Sequence, residues 1–221
     1  MNGTLLLAAV RRAPFRRALS TESAAPKARG MVLTQRQREF LDGALRVNQA
    51  GELAATRIYA AQAPLVVRSH AHLRPLMRHM YEQEAGHLAY FNGLVARHGV
   101  RPTAMYPVWA GVSTLLGWTT GLLGREAAMA CTEAVETEIG THYNEQIGVL
   151  LEWFAAAEQR GETVDGELRA LVGELKRIRD EELEHLDHAV ENDAKAARPY
   201  EPLVNVIRLG CRAAIKISER I

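Results

Sequence analysis

In the stretch Ile178–Ala189, IRDEELEHLDHA, Glu182 and His185 stand three residues apart. On a helix, positions i and i+3 share a face, so the pair can offer one carboxylate oxygen and one imidazole nitrogen to the same metal. A second Glu-x-x-His occurs at Glu84 and His87, in MYEQEAGHLAYFNGL (80–94). With 21 Glu and 8 His in 221 residues, chance alone supplies about 0.8 such pairs, so two pairs by themselves carry little weight. Their setting carries more. Glu52 precedes Glu84 by 32 residues and Glu136 precedes Glu182 by 46. Each single glutamate lies in a mostly apolar stretch, VNQAGELAATRIYA (47–60) and MACTEAVETEIGTHY (129–143). A carboxylate on a core-facing stripe is costly unless it meets a proton, a cation or a metal. Seven residues after each comes a tyrosine, Tyr59 and Tyr143, on nearly the same face. The chain reads as a diverged internal repeat: Glu, Tyr, then Glu-x-x-His, twice.

Around these motifs the period is helical. Apolar residues from Phe40 to Tyr59 recur mostly at three and four, which predicts a helix over 35–67 that Pro64 ends or kinks. A second helix should run from Leu73–Pro75 to His98, stopped by Gly99 and Pro102. A third opens after Gly124 and continues to about Glu158, and a fourth spans Glu167 to about Ala194. Pro199 and Pro202 introduce a last short helix through Arg220, and no segment reads as a strand. In an antiparallel helix pair, residues that meet are equidistant from the turn. The midpoint between Glu52 and Glu84/His87 falls near Ser69, inside the Pro64–Pro75 break, and that between Glu136 and Glu182/His185 falls near Arg160, beside Gly161. Both turns land on helix breakers, so each single Glu is level with its Glu-x-x-His.

The pattern that results is all-α: a ferritin-like four-helix bundle with one long crossover and an additional C-terminal helix. One Glu from each of two helices and Glu-x-x-His from the other two is the arrangement of di-iron carboxylate proteins. Glu52, Glu84, His87, Glu136, Glu182 and His185 would then hold two metals, and oxygen-rich ligation with one nitrogen per metal suits iron or manganese better than zinc or copper. The plainer alternative is a bundle whose glutamates pair with Arg46, Arg57 and Arg179.

Composition narrows the classes further. At 48% hydrophobic and 24% charged the chain can bury a core, and at 6% aromatic it favours helix over a sandwich. A formal charge of +1 argues against nucleic-acid binding. Cys131 and Cys211 form no C-x-x-C pair, which excludes a disulfide scaffold and a zinc ribbon. The charge is uneven: residues 1–30 carry six basic residues against Glu22, a net +5, which leaves 31–221 at −4. The Arg-rich, Ser-containing opening MNGTLLLAAVRRAPFRRALS has the make-up of a mitochondrial transit peptide. Residues 1–35 are assigned to it, and 36–221 to the helical domain.

Between Arg101 and Arg125 no residue is charged. The run is long enough to span a bilayer, yet its prolines, glycines and hydroxyls make it only modestly hydrophobic. Trp109 and Trp118 are side chains expected where membrane meets water. A buried crossover loop with a helical turn or two is the competing reading.

The runs RVNQAGELAATRIYAAQ (46–62), MYEQEAGHLAYFNGL (80–94), GREAAMACTEAVETEIGTHYNEQI (124–147), IRDEELEHLDHA (178–189) and GCRAAIKISERI (210–221) resemble the demethoxyubiquinone hydroxylase family, the di-iron monooxygenases of ubiquinone biosynthesis. The resemblance covers the chain from about residue 40 to its C-terminus. It implies that the family's iron ligands fall on the six residues already chosen, and that His142 and Tyr143 lie at the substrate end, as candidates for hydrogen bonding or gating. Before Glu52 many members read Arg-Val-Asp-His, where this chain has Arg46, Val47, Asn48 and Gln49. The ligand is intact there and the side chains around it differ. The expected chemistry is hydroxylation of a polyprenyl quinone ring with O₂ at two irons, with Glu136 or Glu182 shifting its binding mode to admit oxygen. The resemblance also implies NADH as reductant, although no G-x-G-x-x-G or P-loop is present. It implies, too, a lipid-binding partner protein and a peripheral place on the matrix side of the mitochondrial inner membrane. A ferritin-like iron store is the alternative function. Topology follows from the ligands: a single pass through 102–124 would leave Glu52, Glu84 and His87 on one side and Glu136, Glu182 and His185 on the other. The segment is therefore expected to touch a membrane as a short hairpin or interfacial helix, with both tryptophans at headgroup depth.

Overall fold

The computed structural model describes residues 29–221; most of the leader reading, residues 1–28, lies outside them. Six helices follow: α1 Gln35–Ser69, α2 Arg74–His98, α3 Tyr106–Leu123, α4 Arg125–Gln159, α5 Gly166–Glu191 and α6 Tyr200–Ser218. Among the described residues there is no strand, only one isolated bridge between Gly30 and Thr163. Through it, the Met31 amide donates to the Thr163 carbonyl at 2.8 Å and lays residues 29–31 along the α4–α5 loop.

Local chemistry sets the helix ends. Thr34 and Gln37 form a reciprocal capping box at the start of α1. Gly99, at φ 63°, ends α2 in the left-handed conformation that glycine tolerates best. The Asp165 carboxylate accepts from the Glu167 amide at 2.8 Å to cap α5. α1 does not end at Pro64 but continues through it to Ser69. Pro64 leaves the carbonyl of Ala60 without its helical donor, but both residues are exposed, so water can satisfy it. On the opposite face Gln62, Val66 and Val67 are buried and hold the last turns in place.

α1, α2, α4 and α5 form the bundle, as two antiparallel hairpins packed against each other; α3 lies on α1 and α6 on α4. Two apolar clusters occupy its two ends. One contains Ile58, Met80, Val135 and Ala189, the other Leu45, Phe91, Tyr143 and Ile178. On each of the four helices the acidic and imidazole residues fall between a member of one cluster and a member of the other, so they meet at mid-height.

The uncharged crossover is neither a loop nor a hairpin; it is the single helix α3. Its buried face is Ser113, Gly117, Thr120 and Gly121. A Cβ on Gly117 would stand 2.4 Å from the Ile58 carbonyl oxygen, so only glycine permits this approach to α1. Gln62 donates to Thr120 Oγ1 at 2.9 Å across the same seam. The other face, with Val112, Leu115, Trp118 and Leu122, is exposed. The tryptophans separate: Trp118 faces outward, but Trp109 turns in and donates from Nε1 to Ser218 Oγ of α6 at 2.9 Å. An indole N–H at a half-buried position takes the hydrogen-bond partner within reach, so of the two tryptophans only Trp118 is left facing outward. No helix among the described residues is long and apolar enough to cross a membrane.

Candidate metal centre and its neighbouring cavity

Glu52 on α1, Glu84 and His87 on α2, Glu136 on α4, and Glu182 and His185 on α5 are all buried. Their donor atoms fall into two groups, each within 4.8 Å: Glu52, Glu84, His87 and Glu182 in one, Glu84, Glu136, Glu182 and His185 in the other. Glu84 and Glu182 belong to both. His87 Nδ1 lies 3.2 Å from Glu182 Oε1 and 3.3 Å from Glu52 Oε2. His185 Nδ1 lies 3.0 Å from Glu84 Oε1 and 3.5 Å from Glu182 Oε2. Both imidazoles thus present Nδ1 inward.

The arginines that could have neutralised these carboxylates are elsewhere. Arg46 donates to the carbonyls of Arg101 and Glu219, Arg179 to Asp180 and Asn144, and Arg57 is exposed. Instead the inward atoms are orphans: both oxygens of Glu84 and of Glu182, one oxygen each of Glu52 and Glu136, and Nδ1 of both histidines lack hydrogen-bond partners. Eight such atoms facing one another would be untenable in a bare core, since each buried, unpaired polar group costs about 1–3 kcal/mol. They fit a pair of divalent cations bound mainly through oxygen.

The electrostatics agree. Burial, then the neighbouring carboxylates, pushes Glu84 and Glu136 well above the ordinary carboxylate range, and burial raises Glu52 as well. For His87 burial works the other way, but the Glu182 and Glu52 carboxylates close to Nδ1 favour the charged ring, outweigh it and raise the imidazole to about 11. Glu182 also meets a burial penalty, which its contacts with His185 and His87 overcome, leaving it at about 2. Protons here do the work that cations would otherwise do.

The two tyrosines of the repeat cross over. Tyr59 of α1 donates to Glu136 of α4 at 2.7 Å, and Tyr143 of α4 donates to Glu52 of α1. Each hairpin therefore fixes the other's single glutamate. The outward nitrogens of the histidines have partners too, Glu181 for His87 and Gln83 for His185. Sequence reasoning passed over these two, each immediately before the glutamate of a Glu-x-x-His. That recurrence was the available signal.

Beside the centre lies a cavity of about 470 Å³ between α1, α3, α4 and α6, lined almost wholly by apolar side chains. Its polar residues include Asn48, His142 and Tyr143, and Tyr143 also donates to Glu52, so the cavity adjoins the inward carboxylates through one side chain. Asn48 and Gln146 exchange hydrogen bonds at 3.0 and 2.7 Å, and Gln146 Nε2 also contacts His142 Nε2 at 2.6 Å. An amide donor on Nε2 leaves the ring proton on Nδ1. Burial pulls His142 down to about 4, so it is neutral at physiological pH. Gln49 donates to Asn92 at 2.7 Å.

Comparison with known proteins matches residues 39–218 to the family described as "Ubiquinone biosynthesis protein COQ7". The chain is 41% identical over 198 residues to the mitochondrial 5-demethoxyubiquinone hydroxylase of Saccharomyces cerevisiae, covering 89% of this chain and 84% of the yeast protein. It is 44% identical over 192 residues to the mitochondrial NADPH-dependent 3-demethoxyubiquinone 3-hydroxylase of Bos taurus, covering 87% and 83%. To the 3-demethoxyubiquinol 3-hydroxylase of Rhodospirillum rubrum it is 40% identical over 182 residues, covering 82% and 79%. The chain belongs to the COQ7 family of ubiquinone biosynthesis proteins.

Proposed function

We propose that this protein is a mitochondrial enzyme that hydroxylates the ring of a demethoxyubiquinone-type polyprenyl quinone, a late step of ubiquinone biosynthesis, at a di-iron centre. The carrying observation is the set of eight inward, unpartnered donor atoms beside an apolar cavity. Glu52 and His87 would serve one iron and Glu136 and His185 the other, with Glu84 and Glu182 shared. When bound, two irons supply the activation of O₂ that a ring C–H hydroxylation requires.

The chain's own residues do the rest. The apolar walls exclude water and admit a quinone ring with part of its isoprenoid tail. His142, neutral and with its proton on Nδ1, can donate to a quinone oxygen while Gln146 holds its other nitrogen. Tyr143 and Tyr59 each hold one oxygen of Glu52 and Glu136. Of Glu136 and Glu182, the two carboxylates expected to change binding mode, Glu182, with both oxygens unpartnered, would be the freer to do so.

The reductant is a reduced nicotinamide, NADH by family resemblance. The names of several relatives specify NADPH, so the two are to be compared directly. The exposed apolar face of α3, within the crossover 102–124, rests on the matrix side of the inner membrane, where the long-tailed substrate dissolves. A lipid-binding partner protein passes the quinone across that surface. The leader is the basic N-terminal stretch of residues 1 to about 35.

The test is iron quantification on the purified protein together with conversion of a demethoxyubiquinone analogue under NADH or NADPH. Two irons per chain and a hydroxylated product are expected. Iron uptake without any hydroxylated quinone would instead favour a ferritin-like store.

A further inference from the structure

Each histidine of the centre turns its outer nitrogen to a side chain on the facing Glu-x-x-His helix, and the two acceptors differ in charge. His87 Nε2 is 2.6 Å from Glu181 Oε2 on α5. His185 Nε2 is 2.9 Å from Gln83 Oε1 on α2. Gln83 immediately precedes Glu84, and Glu181 immediately precedes Glu182. The internal repeat thus places equivalent positions in equivalent roles, one an amide and the other a carboxylate. Both are half-buried, so neither bond is fully screened by water. Arg177, one turn back on α5, donates to both oxygens of Glu181 at 2.7 and 2.8 Å and fixes its orientation.

With a metal at Nδ1, these contacts would set both imidazoles in the same tautomer, with the proton on Nε2 and the lone pair of Nδ1 directed inward. They do not make them equal ligands. A carboxylate acceptor draws the Nε2 proton more strongly than an amide carbonyl does, and so leaves more electron density on Nδ1. Resting on the metal reading above, we infer that the two metal positions are chemically inequivalent, and that Glu181 is the positioning residue that makes His87 the stronger donor. The ion on the Glu52–His87 side is the tighter-held of the two, and the ion on the Glu136–His185 side is the first to leave.

The test uses the full chain loaded with two ferrous ions under anaerobic conditions, and follows their withdrawal by a chelator. The unsubstituted protein should give two phases. Glu181→Gln, which makes both acceptors amides, should weaken the slow-phase ion toward the affinity of the fast-phase one, by at most the roughly 10- to 100-fold that loss of such an outer partner costs. The fast phase should stay nearly unchanged, so the two phases merge. Gln83→Glu should have the opposite effect and slow the fast phase. With Co(II) as the probe metal, the visible absorption should resolve two site spectra in the unsubstituted protein and one in Glu181→Gln. If Glu181→Gln does not fold, Gln83→Glu and the Co(II) spectrum of the unsubstituted protein still decide. Two ions leaving the unsubstituted protein in one phase, or Glu181→Gln weakening both equally, would overturn this inference and leave the di-metal reading intact. A chain that holds no metal would overturn both.

Discussion

Glu182 stands in both donor groups with two unpartnered oxygens, and His185 one turn later supplies the nitrogen of one of them. Removing either should lower bound iron below two per chain and abolish quinone hydroxylation, as metal analysis and single-turnover assays will show. Conservative changes at Asn48→Asp or Gln49→His, which lie around the ligand, should be mild by comparison. His142 carries a pH prediction. Its folded value of about 4 lies below the ordinary 6.5, so the neutral ring is the form the fold favours. The associated stability is present above 6.5 and is lost as pH falls through 4, by at most about 3 kcal/mol. Denaturant titrations should find this loss in the unsubstituted protein and not in a His142→Gln variant, and a wild-type loss no larger than the variant's would refute the burial argument. The six centre residues could be read from sequence because buried charge on an apolar helical stripe is conspicuous. The amide pair of Asn48 and Gln146 could not, because an uncharged amide reads the same in sequence whether it faces water or, as here, a buried partner.

At the level of elements, the helix limits were largely legible: the breaks at His70–Leu73 and Arg160–Asp165 fall beside the midpoints near Ser69 and Arg160. Two features were not. Pro64 breaks a helix only if its orphaned carbonyl cannot reach water and packing does not oppose the break, and α1 meets neither condition. The crossover reads as ambiguous because its pattern serves two neighbours, small residues toward α1 and large apolar ones outward. Gly117-x-x-x-Gly121 was the signal for the inner face. Gly117→Ala should push α3 off Ile58 and cost about 1–3 kcal/mol, measurable as a lowered thermal midpoint with iron content near normal. A midpoint unchanged from the unsubstituted protein would mean that α3 is not seated as described. For the outer face, serine at Leu115, Trp118 and Leu122 should release the protein from anionic liposomes and spare turnover of a tail-less quinone more than that of a long-tailed one. Trp109→Phe, which loses only the bond to Ser218, should leave liposome binding unchanged. Equal loss on both quinones, or release by Trp109→Phe alone, would remove α3 as the membrane contact.

For the whole molecule, a metal held at the centre would link folding to pH. Glu52, Glu84 and Glu136 in the metal-free fold bind protons above the ordinary 4.5, and His87 binds one up to about 11 against an ordinary 6.5. For every one of these groups the folded state holds its proton longer than the unfolded state does. Stability from them is therefore full below the unfolded values and declines as pH rises through the folded ones. Glu182, depressed to about 2, contributes nothing that changes above pH 5. Bound metal reverses the dependence, because it takes the deprotonated ligands and gains affinity as protons become scarce. The chelator-treated chain should thus melt at a lower temperature at pH 8 than at pH 6, the metal-loaded chain should show little such drop, and the gap between them should widen with pH. Scanning calorimetry on both forms between pH 5.5 and 8 tests this directly. A gap that narrows as pH rises would mean that the four carboxylates and two imidazoles are held together by contacts with one another, and that no cation is needed to stabilise them.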